Sequence, residues 1–221
     1  MSLETRKNAL EDPGADMLDK MTSVWDRYGR IVLVILGAAA VVGVVAYFSV
    51  SAQARQENSA SEKLAQASDL FWKGDYDRSR TMAQEISQQF GGTPSGVDAH
   101  RIAGDDAFWR GKWKEAIVDY KAFLSKKNSG LLAQAVQRSL AYAYEGDGQP
   151  AEAAKLYDGL VGVFDRESSG EMLMAAARSH HALHKDDIAR QRLQRLIDEF
   201  GDSTYQLKAR VMLAELTPES K

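Results

Sequence analysis

The chain has 221 residues, a net charge of −3, 44% hydrophobic and 27% charged residues, which leaves room for a short anchor and one folded domain of about 150 residues. The near balance of charge excludes a general affinity for nucleic acid, and the absence of cysteine excludes disulfides, thiolate nucleophiles and Cys-ligated metals. Four prolines among abundant Ala, Leu, Gln, Glu and Arg favour helix throughout.

Residues 1–15 read as a polar N-terminal arm with a turn signal at Asp12-Pro13-Gly14. From Asp16 to Arg30, Met17, Leu18, Met21, Val24, Trp25 and Tyr28 recur at helical spacing. They predict an amphipathic juxtamembrane helix, lying in an interface, docked on a partner, or extending the next element. Residues 31–50, IVLVILGAAAVVGVVAYFSV, carry no charge and at ~1.5 Å per residue cover about 30 Å, the hydrocarbon depth of a bilayer. A transmembrane helix is predicted, with Trp25, Tyr28, Tyr47 and Phe48 as rim aromatics. Ala52-Gln53-Ala54 resembles a signal-peptidase site, but an apolar core of 20 residues preceded by 30 others does not suit a signal peptide. Lys20, Arg27 and Arg30 before the span, against Arg55 and Lys63 after it, place the N-terminus inside. Ala39, Gly43 and Ala46 fall on one face of the span, either as a helix-packing stripe or as small residues merely tolerated in lipid.

Residues 51–216 contain an internal repeat, and a polar tail follows at 217–221. Lys73-Gly74-Asp75-Tyr76, Arg110-Gly111-Lys112-Trp113, Asp147-Gly148-Gln149-Pro150 and His184-Lys185-Asp186-Asp187 share a register whose anchors, 74, 111, 148 and 184, are 37, 37 and 36 residues apart. Five residues after the anchors stand Ser79, Ala116, Ala153 and Ala189; seven before them stand Ala67, Gly104, Ala141 and Ala177. Small residues twelve apart on successive helices allow an antiparallel pair to approach closely. Phe90, Phe164 and Phe200 are expected to close second helices. Helix pairs are thus predicted at 55–73 with 76–90, 97–110 with 113–127, 130–146 with 150–165, and 169–183 with 187–200, then a capping helix at 203–216. With no Gly or Pro between Val50 and Leu64, the span is expected to continue unbroken into the first repeat helix.

The anchor glycine, the aromatic after it (Tyr76, Trp113) and the two small positions resemble the tetratricopeptide repeat, over roughly residues 55–215. The expected fold is all-α: a transmembrane helix, then an α-solenoid of about four tetratricopeptide-like pairs with a C-terminal cap. The spacing exceeds the family's 34, most repeats lack its closing proline, and the fourth is degenerate. The layout is similar to the bacterial single-span tetratricopeptide family typified by YfgM, which implies an inner-membrane protein with a cytoplasmic N-terminus and a periplasmic repeat domain.

Counted from that pattern, the inner face carries Leu64, Arg101, Arg138 and Met174 at one level, Ser68, Asp105, Tyr142 and Arg178 at the next, and Phe71, Phe108, Glu145 and His181 at a third, with Trp72 and Trp109 beside them. Arginines and aromatics on one surface are typical anchors of protein contacts; the alternative is that the aromatics are core and the arginines solvated. His180 and His184 could share a helix face, but a metal needs a third ligand. Asp105-Asp106 and Asp186-Asp187 point about 100° apart and read as capping or solvated residues. No GxxxxGKS, GxGxxG, HExxH or GxSxG pattern occurs. No cofactor, metal, nucleic acid or small-molecule substrate is expected, and no enzymatic activity. The expected partners are the lipid bilayer and the other proteins of a membrane complex. The chain would serve that complex, for example a respiratory or photosynthetic assembly, as an accessory subunit, or act as a YfgM-like periplasmic adaptor at the Sec translocon.

Overall fold

The computed structural model describes residues 13–217, with side chains from Met17 onward. The N-terminal arm up to residue 12 and the tail from residue 218 lie outside the described residues. Nine helices and no strands occur among the described residues: α1 (Pro13–Trp72), α2 (Tyr76–Gln89), α3 (Pro94–Trp109), α4 (Trp113–Lys126), α5 (Leu131–Gly146), α6 (Pro150–Leu160), α7 (Arg166–Ala182), α8 (Asp186–Glu199) and α9 (Gln206–Leu216). The chain divides into two compact units, Met1–Ala54 and Arg55–Lys221.

In the first unit, α1 is described from Pro13 onward. Of the expected turn, Asp12 lies outside the described residues and Pro13 and Gly14 are helical; 16–30 belongs to the same helix rather than to a separate one. The apolar side chains of this unit point outward: Val34 is 71% exposed, Val42 68% and Phe48 62%. The segment 51–60 is helical throughout, without a break.

The second unit is a stack in which each helix packs on the next in sequence. The turn inside every pair has one geometry. Gly74, Gly111 and Gly148 take φ of +80°, +69° and +71°. Each anchor N–H donates to the carbonyl three residues back, as from Gly74 to Phe71 at 2.9 Å, and the following N–H donates five residues back, as from Asp75 to Leu70 at 3.0 Å. This closure satisfies carbonyls left open at a helix end and needs a left-handed residue. His184 occupies the fourth such position at φ +57°, with its N–H on His181 and that of Lys185 on His180.

Both sets of small residues are buried. Ser79, Ala116, Ala153 and Ala189, and Ala67, Ala141 and Ala177, are 0% exposed. In the first pair the two positions touch through a hydrogen bond, Ser79 Oγ donating to the Ala67 carbonyl at 2.9 Å. Gly104 is the most constrained: a Cβ there would stand 2.6 Å from Cδ1 and Cε1 of Tyr120. Caps start several helices: Thr93 Oγ1 accepts from Gly96 N at 3.0 Å, ahead of Pro94 at N1, and Asp165 Oδ1 accepts from Ser168 N at 2.7 Å.

Four element bounds differ from expectation by three residues or more; one is α7, which begins at Arg166 rather than 169, behind its Asp165 cap. Thr93-Pro94 starts α3 three residues before position 97. Helix α6 stops at Leu160 rather than 165, because Val161 turns extended and Gly162 is left-handed at φ +82°; Phe164 lies in the following loop, whereas Phe90 and Phe200 do cap α2 and α8. Helix α9 begins at Gln206 rather than 203, after a turn in which Ser203 N–H bonds Phe200 O at 2.9 Å.

Candidate functional site

The first helices of the pairs carry a chain of polar contacts. On α3, Arg101 grips Asp98 through Nε (2.7 Å) and Nη2 (2.8 Å) and reaches Asp105 through Nη1 (2.9 Å). Tyr120 on α4 donates its hydroxyl to Asp105 Oδ1 at 2.8 Å. Burial pushes the Asp105 carboxyl up, against the pull of Arg101. On α5, Arg138 lies 5.0 Å over the Phe164 ring. Arg101 and Arg138 are thus half-buried and engaged within the chain rather than freely solvated.

A tighter cluster joins α5, α6 and α7. Tyr142 donates to Glu171 Oε1 at 2.7 Å, Tyr157 donates to Glu145 Oε2 at 2.7 Å, and Arg178 reaches Glu145 Oε1 at 3.0 Å. The two tyrosine rings stand 5.6 Å apart. Burial, then the facing carboxylates, pushes both phenols far up, so they remain donors at any physiological pH. The structure thus brings Tyr142 and Arg178 together through Glu145, Tyr157 and Glu171. Tyr157 and Glu171 escape the sequence reading, although Glu171 and Arg178 are two helical turns apart on α7.

Phe71, Trp72, Phe108 and Trp109 stand in two aromatic clusters at the turn edge. Phe71 stacks edge-on with Trp72 (5.2 Å) and Tyr76 (5.5 Å); Phe108 does the same with Trp109 (6.3 Å) and Trp113 (5.0 Å). The two triads are the same construction 37 residues apart. The phenylalanines are half-buried, while Trp72 and Trp109 are 82% and 64% exposed at the turn edge. Leu64 and Ser68 are half-buried and Met174 is buried.

A further feature lies between α7 and α9, a groove of about 630 Å³. Met174, Leu207, Val211 and Met212 supply apolar lining, and Arg178, His181, Lys208 and Glu215 supply charge or polarity. Leu207 and Val211, i and i+4 on α9, are 72% and 53% exposed. Reading α9 only as a cap hides this surface.

The histidines do not converge. His180 Nε2 meets Asp158 Oδ2 at 3.0 Å, His181 Nδ1 meets Asp186 Oδ1 at 2.7 Å, and His184 sits past the end of α7 in its turn. Among the described residues no three His, Cys, Asp or Glu side chains are arranged to hold a metal. Asp105 and Asp106 are not solvated as expected: Asp106 is 0% exposed. Ala39, Gly43 and Ala46 are all exposed on α1. Chemically these surfaces present aromatic, aliphatic and charged contacts.

No curated protein matches the sequence. Among solved structures the chain is similar to a tetratricopeptide repeat protein of Parabacteroides merdae, at 18% identity and a TM-score of 0.61; the likeness covers 72% of this chain and spans only 60% of the length of that one. It is also similar to the nearly identical tetratricopeptide-like repeats assigned to a kinesin light chain of Podosopora anserina, and to their Q17M variant. Each shows 17% identity and a TM-score of 0.58 over 72% of this chain, and 86% and 85% of theirs. At such identity these likenesses establish the fold alone. The model of the tetratricopeptide repeat-like domain matches residues 23–162, through the apolar stretch and the first three helix pairs. With four turns of one geometry and buried small residues in register, the chain belongs to the tetratricopeptide repeat-like family, a family of protein-interaction scaffolds whose members are typically not catalysts.

Proposed function

We propose that this protein is a single-span, membrane-anchored scaffold: residues 31–50 cross a bacterial inner membrane, the N-terminus is cytoplasmic, and the repeats stand in the periplasm as an accessory subunit of a larger membrane complex. The observation that carries the reading is the bare apolar surface of α1. It is the one helix among the described residues long and apolar enough to cross a membrane, and none of its most apolar window is covered by the rest of the chain. Twenty uncharged residues exposed in this way need lipid or protein around them. Trp72, Trp109 and the α7/α9 groove are the surfaces offered to partners.

Because the chain has no cysteine, a single Ser125→Cys change on the exposed end of α4 is a clean topology reporter. Labelling by an impermeant maleimide in spheroplasts is expected; labelling only after lysis would reverse the orientation. Extraction of native membranes in mild detergent then separates two roles. One complex at constant ratio makes the chain a subunit. Translocon components with many substoichiometric clients make it a YfgM-like adaptor, a reading favoured by the open α7/α9 groove.

A further inference from the structure

Asp106 lies where α2, α3 and α4 meet, between the first and second helix pairs. It is 0% exposed, and neither carboxyl oxygen has a hydrogen-bond partner among the described residues. A carboxylate in that setting has lost its water without gaining a donor. The groups around it make the matter worse. From α2, Ser79 approaches, but its one proton is held by the Ala67 carbonyl of α1 at 2.9 Å. Also from α2, Arg80 is the facing cation, yet it is divided between Glu115 and Asp119 of α4, the latter at 2.9 Å. On α3 itself stand Asp105, held by Arg101 and by the Tyr120 hydroxyl of α4, and half-buried His100. Five carboxyl groups, Asp98, Asp105, Asp106, Glu115 and Asp119, thus stand around Arg80 and Arg101, with Lys112 3.9 Å from Glu115, and Asp106 is the one with no ion-pair partner.

We propose that Asp106 is a protonation switch at the joint between the first two repeats: neutral, it lets α2, α3 and α4 close on one another, and its ionisation loosens them. A protonated carboxyl has what the carboxylate lacks, an O–H that can donate to the unused lone pairs of Ser79 Oγ. Burial, with the nearby Asp105 and Asp119 charges, raises this carboxyl to about 7 against the partial offset of Ser79 and Arg80. The sign follows from linkage. The folded joint keeps a proton that the opened joint releases near 3.8, so closure is favoured at low pH and is lost as pH rises through the folded value. Between pH 5 and 7, one proton with those two affinities changes the opening constant by up to about 50-fold. Asp119 is raised by burial and titrates in the same direction, whereas the His100 pKa is lowered by burial.

The test is hydrogen exchange on the full chain in mild detergent at pH 5, 6, 7 and 8, corrected for intrinsic rates. The proposal expects amides of α2, α3 and α4 to open tens of times more readily at pH 7 than at pH 5, with those of α7 and α8 unchanged. In Asp106→Asn, neutral at every pH, the rise should shrink to the smaller part that the raised Asp105 and Asp119 carboxyls leave. A flat wild-type profile, or an equal rise in Asp106→Asn, overturns it. A carboxyl-carbon NMR titration of the wild type decides the matter even if that variant fails to fold. An Asp106 midpoint near neutrality sustains the switch, and a midpoint below 5 ends it.

Discussion

Replacing Gly104 by alanine adds one carbon at a point where two terms of similar size oppose each other. Removing a mid-helix glycine from α3 favours folding by about 1 kcal/mol. Against this, the new Cβ would stand 2.6 Å from two ring carbons of Tyr120. That ring is 1% exposed and tied by its hydroxyl to Asp105 at 2.8 Å, so it cannot swing aside without breaking the bond and the packing around it. Overpacking of this kind costs about 1–3 kcal/mol. Two ring carbons met at 2.6 Å by a pinned ring put the cost in the upper part of that range, about 2–3 kcal/mol, so sterics win with a net loss of about 1–2 kcal/mol and a fall in Tm of about 2–8 °C for a unit of this size. Tryptophan fluorescence follows the transition directly, since Trp109 and Trp113 flank the same turn. Two controls isolate the cause. Gly159→Ala in α6, where a Cβ meets nothing within 4 Å, should be neutral or slightly stabilising. In a Tyr120→Leu background, Gly104→Ala should lose its penalty, a coupling that a double-mutant cycle reads. An unchanged or higher Tm for Gly104→Ala alone would refute the claim that this contact fixes the distance between α3 and α4.

His184 holds a left-handed conformation at φ +57°, which costs a non-glycine residue about 1–2 kcal/mol; His184→Gly should raise the Tm, and a fall would mean that the imidazole contributes more than the backbone strain removes. Burial alone would raise the Asp158 carboxyl, but hydrogen bonds from Arg192 and His180 lower it overall. Its contribution is present above the ordinary aspartate value and is lost as pH falls through the lowered one; the Tm should therefore decline more steeply below pH 4 in the wild type than in Asp158→Asn, and parallel curves would discount the pairing. Trp72→Ala and Trp109→Ala remove side chains 82% and 64% exposed, so stability should change by less than about 0.5 kcal/mol; co-purification with membrane partners should weaken, and full retention of partners would remove the turn edge from the binding surface.

The repeat register was readable because it rests on backbone and steric rules that admit few residues. A left-handed turn selects glycine at 74, 111 and 148, and touching helices select Ala, Gly or Ser at 67, 79, 104 and 116. The same spacing identified position 184 despite its histidine. The start of α3 is also signalled in the sequence, by Thr93-Pro94, and the stop of α6 by Val161-Gly162. Other features depend on three-dimensional neighbours. Phe71 and Trp72 are adjacent in sequence, yet one is half-buried and the other exposed, and only the phase of the helix decides which. Asp106 looks like half of a solvated acidic pair until α2 and α4 close over it. The α7/α9 groove depends on how α9 lies beside α7, which leaves Leu207 and Val211 exposed at its rim.

The same two main-chain bonds close each turn within the pairs, and the second and third turns are 37 residues apart. Such a turn does not depend on which side chains flank it. Removing residues 112–148 would join Gly111 to Gln149 at the equivalent point of the next turn, leaving its two bonds intact. The protein is in this sense a ruler graduated in whole repeats: its reach can be lengthened or shortened by one graduation without redrawing the marks, and any partner that spans two graduations would report the change as lost register rather than lost fold.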